Sequence, residues 1–136
     1  IHQLVYDDFS LNRLRFLGNC LLNKLEVLTE YNTAIIVITA QELDQFKIST
    51  GDTEGIVNYA LSISGIRLAV LIIERPDVVK LSLRSVGDFP ANEICKKYFS
   101  GGGHKNASGG FSEDKIDVVR EKFNVILPEY KSLLLI

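Results

Sequence analysis

The stretch RLAVLIIERPDVVKLSLRSV, Arg67 to Val86, sets two largely apolar runs on either side of Arg75-Pro76-Asp77. Pro fixes its own φ and Asp bonds local backbone, so the tripeptide suits a chain reversal. The flanking runs, 67–74 and 78–86, therefore read as an antiparallel β-hairpin. The second run alternates. Val79, Leu81 and Leu83 share one face with Ser85, while Lys80, Ser82 and Arg84 point the other way.

Before this hairpin, Thr33–Ala40 (TAIIVITA) is short, β-branched and nearly all apolar, the pattern of a central strand covered on both faces. Residues 41–46 suit a short helix. The segment from Thr50 to Gly55 turns into a helix over 56–61, with Asp52 or Thr53 placed to cap it. Leu11, Leu14, Leu17, Leu21, Leu25 and Leu28 recur every three or four residues and predict one N-terminal helix, with Ser10 as its cap. After the hairpin, Ala91, Ile94, Cys95, Tyr98 and Phe99 follow helical spacing, with Pro90 suited to the first turn. Ile116, Val119, Phe123, Ile126 and Tyr130 outline a last helix that Pro128 breaks or kinks. The expected fold is α/β: a mixed β-sheet with flanking helices, containing an antiparallel hairpin, plus an N-terminal linker helix.

The chain has 136 residues, 46% of them hydrophobic and 24% charged, with a formal charge of −2. That balance fits one folded domain and excludes both a disordered chain and a generally basic nucleic-acid binder. The apolar runs fall short of the ~20 residues a membrane-spanning helix needs. Cys20 and Cys95 are too few for a disulfide framework and lack metal-ligand spacing, so both are expected as buried, reduced thiols in a cytoplasmic protein. The chain contains no Met and begins at Ile1, which suggests a piece of a longer protein.

Residues Tyr98–Gly110, YFSGGGHKNASGG, contain five of the ten glycines and His104. Three consecutive glycines allow positive φ and remove side chains that would hold a ligand away from backbone N–H groups, so amides can converge on a phosphate. Ile94–Ser112 also carries Lys96, Lys97 and Lys105 without an acidic residue, a local positive patch. The plainer reading is that Gly101 ends the preceding helix at its first left-handed position and that Gly102 and Gly103 continue a surface loop. The spacing matches neither the P-loop nor the dinucleotide fingerprint.

DTEGIVNYAL (52–61), VKLSLRS (79–85), ANEICKKYF (91–99) and GGGHKNASG (101–109), in that order, resemble the substrate-binding domain associated with DHH-family phosphoesterases. Within that superfamily the likeness is to the branch of bifunctional oligoribonucleases and adenosine-bisphosphate phosphatases, also described as exopolyphosphatase-related. The resemblance implies a division at residue 30: 1–30 a linker helix from an N-terminal DHH catalytic domain, 31–136 the DHH-associated domain. That catalytic domain would carry two divalent metals, manganese in type, and would be a partner within the same parent chain. No metal ligands or cofactor are expected here, because His2 and His104 are the only histidines and no Asp-His-His occurs. The piece alone is expected to be inactive.

By the same resemblance Gly102 and Gly103 supply amides to a phosphate, His104 reaches the phosphate being cleaved and acts as the catalytic residue, and Arg84 and Ser85 contact phosphate or ribose. Lys105, Asn106 and Asn58 are further phosphate-binding candidates. Each residue also has a plain reading: a surface ion pair for Arg84, a backbone hydrogen bond for Ser85, a solvated side chain for Lys105, capping or bracing for Asn58 and Glu54. Tyr98 and Phe99 could stack a base, but their helical spacing favours the core. The expected substrates are short RNA or small phosphorylated nucleotides. The rival is a non-catalytic RNA- or tRNA-binding module of the kind appended to alanyl-tRNA synthetases; a third reading is a homodimer through the leucine stripe.

Overall fold

Leu68–Glu74 (β3) and Val79–Ser85 (β4) pair antiparallel, with Arg75 N–H bonding the Val78 carbonyl across the turn at 2.9 Å, so the hairpin forms as read. The computed structural model describes residues 10–53 and 55–136. Thr33–Ile38 (β2) runs parallel to β3, and the crossover between them carries helices α2 (Ala40–Gln45) and α3 (Ile56–Leu61). Leu25–Leu28 (β1) lies outside β2, and Gly102–His104 (β5) pairs with Ala107–Ser112 (β6), giving a six-stranded mixed sheet in the order β1-β2-β3-β4-β6-β5.

Strand alternation sorts the core into two layers. Ile35, Val70, Ile72, Leu81 and Leu83 pack with Ile94 and Phe99 of helix α4 (Ala91–Tyr98) and its exit, and with Val119, Phe123 and Leu127 of α5 (Ile116–Glu129). Phe99 stacks on Phe123 with ring centroids 5.5 Å apart, and burying each ring stabilises the fold by roughly 2–3 kcal/mol. On the opposite face Ala34, Ile36, Ile38, Ala69, Leu71 and Ile73 meet α3 and Phe16 and Cys20. Pro128 falls in the last turn of α5, and the chain restarts as α6 (Lys131–Leu134) after Tyr130.

The N-terminal segment departs from the single helix its leucines predict. Helix α1 spans Leu11–Asn19, capped by Ser10, whose side chain accepts the Arg13 N–H at 3.0 Å; a wider helical turn over Cys20–Lys24 then ends it. Leu25 and Leu28 belong to β1, where pairing with β2 overrides their helical spacing. The buried residues are Phe16 and Cys20, whereas Leu11 and Leu14 are exposed. Residues 11–28 thus contribute to the sheet and its second layer through β1, Phe16 and Cys20. The expected cap of α3 also differs: Gly55, at φ +85°, precedes the helix with no side-chain cap, while Asp52 accepts from Ser49. Glu54 and His2 lie outside the described residues.

Both cysteines are free and buried, as expected. Burial pushes the Cys20 thiol from 9.0 up to about 12, helped by the nearby Glu42 charge. The unfolded thiol ionises first, so its contribution to stability is fully present below pH 9 and is lost as pH rises from 9 towards 12. Urea unfolding followed from pH 8 to 11 should show stability falling by roughly 1 kcal/mol per pH unit more in the wild type than in Cys20→Ala.

Candidate functional site

On β4 only one side is covered. Val79, Leu81 and Leu83 are buried under α4 and α5, while Lys80, Ser82 and Arg84 face away from that layer, with α3 at the border of the strip they form. Opposite residues of neighbouring strands share a face, so register extends this strip into three rows. One row runs Arg84, Ala107, His104; the next Ser82, Gly109, Gly102; the third Lys80, Phe111. The middle row carries almost no side chain, and the surface forms a trough between the outer two.

Two adjoining cavities, about 690 and 440 Å³, occupy this face and share Lys80, Ser82 and Arg84. The larger lies over β6 and the start of β5, with Gly102, Gly109 and Phe111 among its walls. The smaller reaches across β3 to Asn58 and Val57 of α3. Among the described residues no carboxylate lines either one.

The Arg84 guanidinium is half-buried and held by backbone: it donates to the Leu83 carbonyl at 2.9 Å and the Ser108 carbonyl at 3.3 Å. Among the described residues no carboxylate forms an ion pair with it, so the surface salt bridge is not what positions it. Its charge is felt through the sheet. Burial raises the Cys95 thiol, and the Ser108 hydroxyl, 3.2 Å away, together with Arg84 oppose that rise.

The glycine segment is a hairpin, with Lys105-Asn106 as its two-residue turn. Gly102–His104 run as the outermost strand of the sheet, so their amides lie along an edge instead of converging on one point. The residue with left-handed backbone after α4 is Ser100, φ +50°, and the Gly101 N–H bonds back to the Cys95 carbonyl at 3.0 Å. Close approach explains most of these glycines. A Cβ on Gly101 would collide with the backbone of Gly109 and Gly110, and one on Gly110 would lie 2.7 Å from Phe99 Cβ. Gly102 is different: a Cβ there would meet nothing within 4 Å, and the residue borders the larger cavity.

The other predicted residues divide. Asn58 stands in the smaller cavity with Arg84. His104 and Gly103 are exposed at the hairpin end; register puts His104 on the Arg84 face, two strands away or about 10 Å between Cα positions. Ser85 is buried and donates to the Phe89 carbonyl at 2.7 Å, while Asn106 Nδ2 donates to Ser85 Oγ at 2.9 Å and to the Gly87 carbonyl at 3.1 Å. These two brace the hairpin turn to the loop before α4 and line neither cavity. Lys105 is paired with Asp88 at 3.6 Å and Lys97 with Glu129 at 2.7 Å, so the cations of the trough without an ion pair among the described residues come from β4 and not from the glycine segment. Phe99 is core, and the Tyr98 hydroxyl donates to Glu129; neither borders the trough.

Residues absent from the sequence-based candidates are Lys80, Ser82, Thr53 and Phe111. The alternation of β4 already placed the first two beside Arg84. No local signal marked Phe111, because glycine-rich β6 has little strand propensity. Among the described residues no group of three His, Cys, Asp or Glu side chains is placed to hold a metal ion, and no helix is long and apolar enough to cross a membrane. The described residues thus offer no donor set for the two divalent metals that the resemblance assigns to a separate catalytic domain.

Fold and site together define an α/β domain that covers most of one sheet face and keeps part of the other open, with cations along it that have no carboxylate partner among the described residues. The chain belongs to the DHHA1 domain family, which it matches over residues 27–131, in accord with the resemblance carried by Asp52–Gly109. It is 30% identical over 106 residues to the bifunctional oligoribonuclease and PAP phosphatase NrnA of Bacillus subtilis (strain 168), a match that covers 76% of this chain and 33% of that protein. It is 33% identical over 82 residues to a 3′,5′-cyclic-nucleotide phosphodiesterase of Helicobacter pylori, 54% of this chain and 22% of that protein. The crystal structure of an exopolyphosphatase-related protein from Bacteroides fragilis superposes with a TM-score of 0.92 at 40% identity, covering 98% of this chain and 39% of that one. The chain thus spans a third or less of the curated relatives it matches, and both of those are phosphoesterases.

The brace and the close approach each predict a stability change. Ser85→Ala leaves the Phe89 carbonyl and the Asn106 amide short of a partner and should cost about 1–3 kcal/mol in urea unfolding. Gly101→Ala should cost at least about 2 kcal/mol by overpacking, whereas Gly102→Ala should stay within about 0.5 kcal/mol of wild type in the same measurement.

Proposed function

We propose that this chain is the substrate-binding half of a two-metal, manganese-type phosphoesterase that hydrolyses short oligoribonucleotides or small phosphorylated nucleotides. The observation that carries the reading is Arg84: a half-buried guanidinium, fixed by carbonyls and lacking a carboxylate partner among the described residues, on an open face of a chain whose family relatives are phosphoesterases. A planar guanidinium can grip phosphate oxygens in a bidentate manner, and half-burial strengthens that contact. Lys80 adds a second positive charge on the same face, and Asn58 a neutral donor.

In this reading the phosphate lies between Arg84 and the hairpin. Gly102 and Gly103 admit it close to the backbone, and His104 reaches over it from the sheet edge. Holding the phosphate and neutralising its charge is the contribution of these residues. The metals belong to a catalytic domain of the parent chain, whose activity and substrates are part of the proposal.

Titration calorimetry with a short oligoribonucleotide and with adenosine 3′,5′-bisphosphate tests the site. Arg84→Ala should weaken both by roughly ten-fold or more, the worth of a charge-assisted contact, and His104→Ala should weaken both to a smaller extent. Equal binding by the wild type and both variants would reject it.

A further inference from the structure

The trough has two unlike ends. At one, the row through Arg84 is cationic and polar; at the other, Phe111 lies opposite Lys80 on β6 and is 47% exposed. An exposed phenylalanine on a sheet surface loses solvation free energy unless something covers it, and none of the helices that pack on this face reaches β6. Between the two ends, Ser82, Gly109 and Gly102 present almost no side chain, so a flat group can lie directly on the backbone. Gly102 has no internal packing reason to be glycine, since an added Cβ there would meet nothing, and its missing side chain keeps this floor clear.

The spacing gives the floor a scale. Lys80 and Phe111 stand four residues along the strands from Arg84 and Ala107, about 13 Å at strand rise. A ligand anchored by phosphate at Arg84 and extending along the floor brings an apolar, planar group to the phenyl ring, with the Lys80 charge beside it for a further phosphate. An inorganic phosphate chain has nothing to offer that ring.

We infer that Phe111 forms a base-stacking subsite, so that the trough takes a nucleotide ligand through both its phosphate and its nucleobase and distinguishes it from inorganic polyphosphate. The inference rests on the proposed function, because it takes the Arg84 end to be a phosphate site. The stacked face of a base fits Phe111 whatever the base, so the subsite adds affinity with little sequence preference.

The chain has no tryptophan, so Phe111→Trp installs a single fluorescent reporter at the ring. The probes are 5′-phosphorylated diadenylate and inorganic tripolyphosphate. Diadenylate should quench the Phe111→Trp emission and tripolyphosphate should not. In calorimetry Phe111→Ala should bind diadenylate about ten-fold more weakly and tripolyphosphate within about two-fold of wild type, with an unchanged circular dichroism spectrum. If diadenylate binds the wild type and Phe111→Ala equally, or if Phe111→Ala weakens both probes alike, the subsite is wrong while the phosphate site stands. If neither probe binds the wild type, the proposed function fails and the subsite with it.

Discussion

The arrangement depends on how closely the β5–β6 hairpin lies against the exit of α4. Gly101 and Gly110 have no room for a Cβ, and the Phe111 N–H bonds the Phe99 carbonyl at 2.8 Å. Phe99 in turn is locked into the core by Phe123. Because the hairpin is drawn down on the α4 side, that side of the sheet is covered from β2 to β6, with exposed residues at its edges, Glu26 and Gly103. On its other side the helices of the second layer pack chiefly on β2 and β3, with α3 reaching the near edge of β4. The trough is what remains uncovered, and its floor is smooth because much of the same glycine-rich segment that permits the close approach also faces it.

Charge follows the same geometry. The lysines of the glycine segment and of α4 that have acidic neighbours are neutralised by them: Lys97 by Glu129 and Lys105 by Asp88. Across the sheet Lys80 faces Ile73 and Phe111, and Arg84 faces Ala69 and Ala107, none of which can offer a countercharge. A cation without a partner above an apolar and glycine-lined surface produces a stronger field than one in a mixed-charge patch. The overall charge of −2 therefore says little about what the open face attracts.

Much of this was legible in the sequence wherever local pattern and tertiary role agree. The β3–β4 hairpin, the β2 strand and the buried stripes of α4 and α5 follow from alternation and helical spacing. Arg84 stands out by the polar side of β4. The failures have a shared cause in long-range pairing. Leu25 and Leu28 satisfy a helical repeat and still enter β1, because Thr33–Ala34 and Ile35–Ile36 provide a partner strand. Gly102–His104 and Ala107–Ser112 have poor strand propensity and are strands only because β4 and the α4 exit hold them. Ser85 and Asn106 join across 21 positions of sequence, a contact that neither residue type nor spacing announces.

That Ser85–Asn106 join also bears on motion. Asn106 ties the turn to Ser85, Gly87 and Phe89 at once, with Ser85 N–H bonding the Asn106 carbonyl at 3.0 Å. A two-residue turn at the edge of a sheet, rich in glycine, is ordinarily the most mobile point of a fold. Here its backbone is clamped from beneath, so His104 projects from a fixed base and retains only its side-chain rotations. An incoming molecule meets a preformed surface with little ordering entropy left to lose, and association at this edge should resemble the docking of rigid bodies more than the closing of a loop.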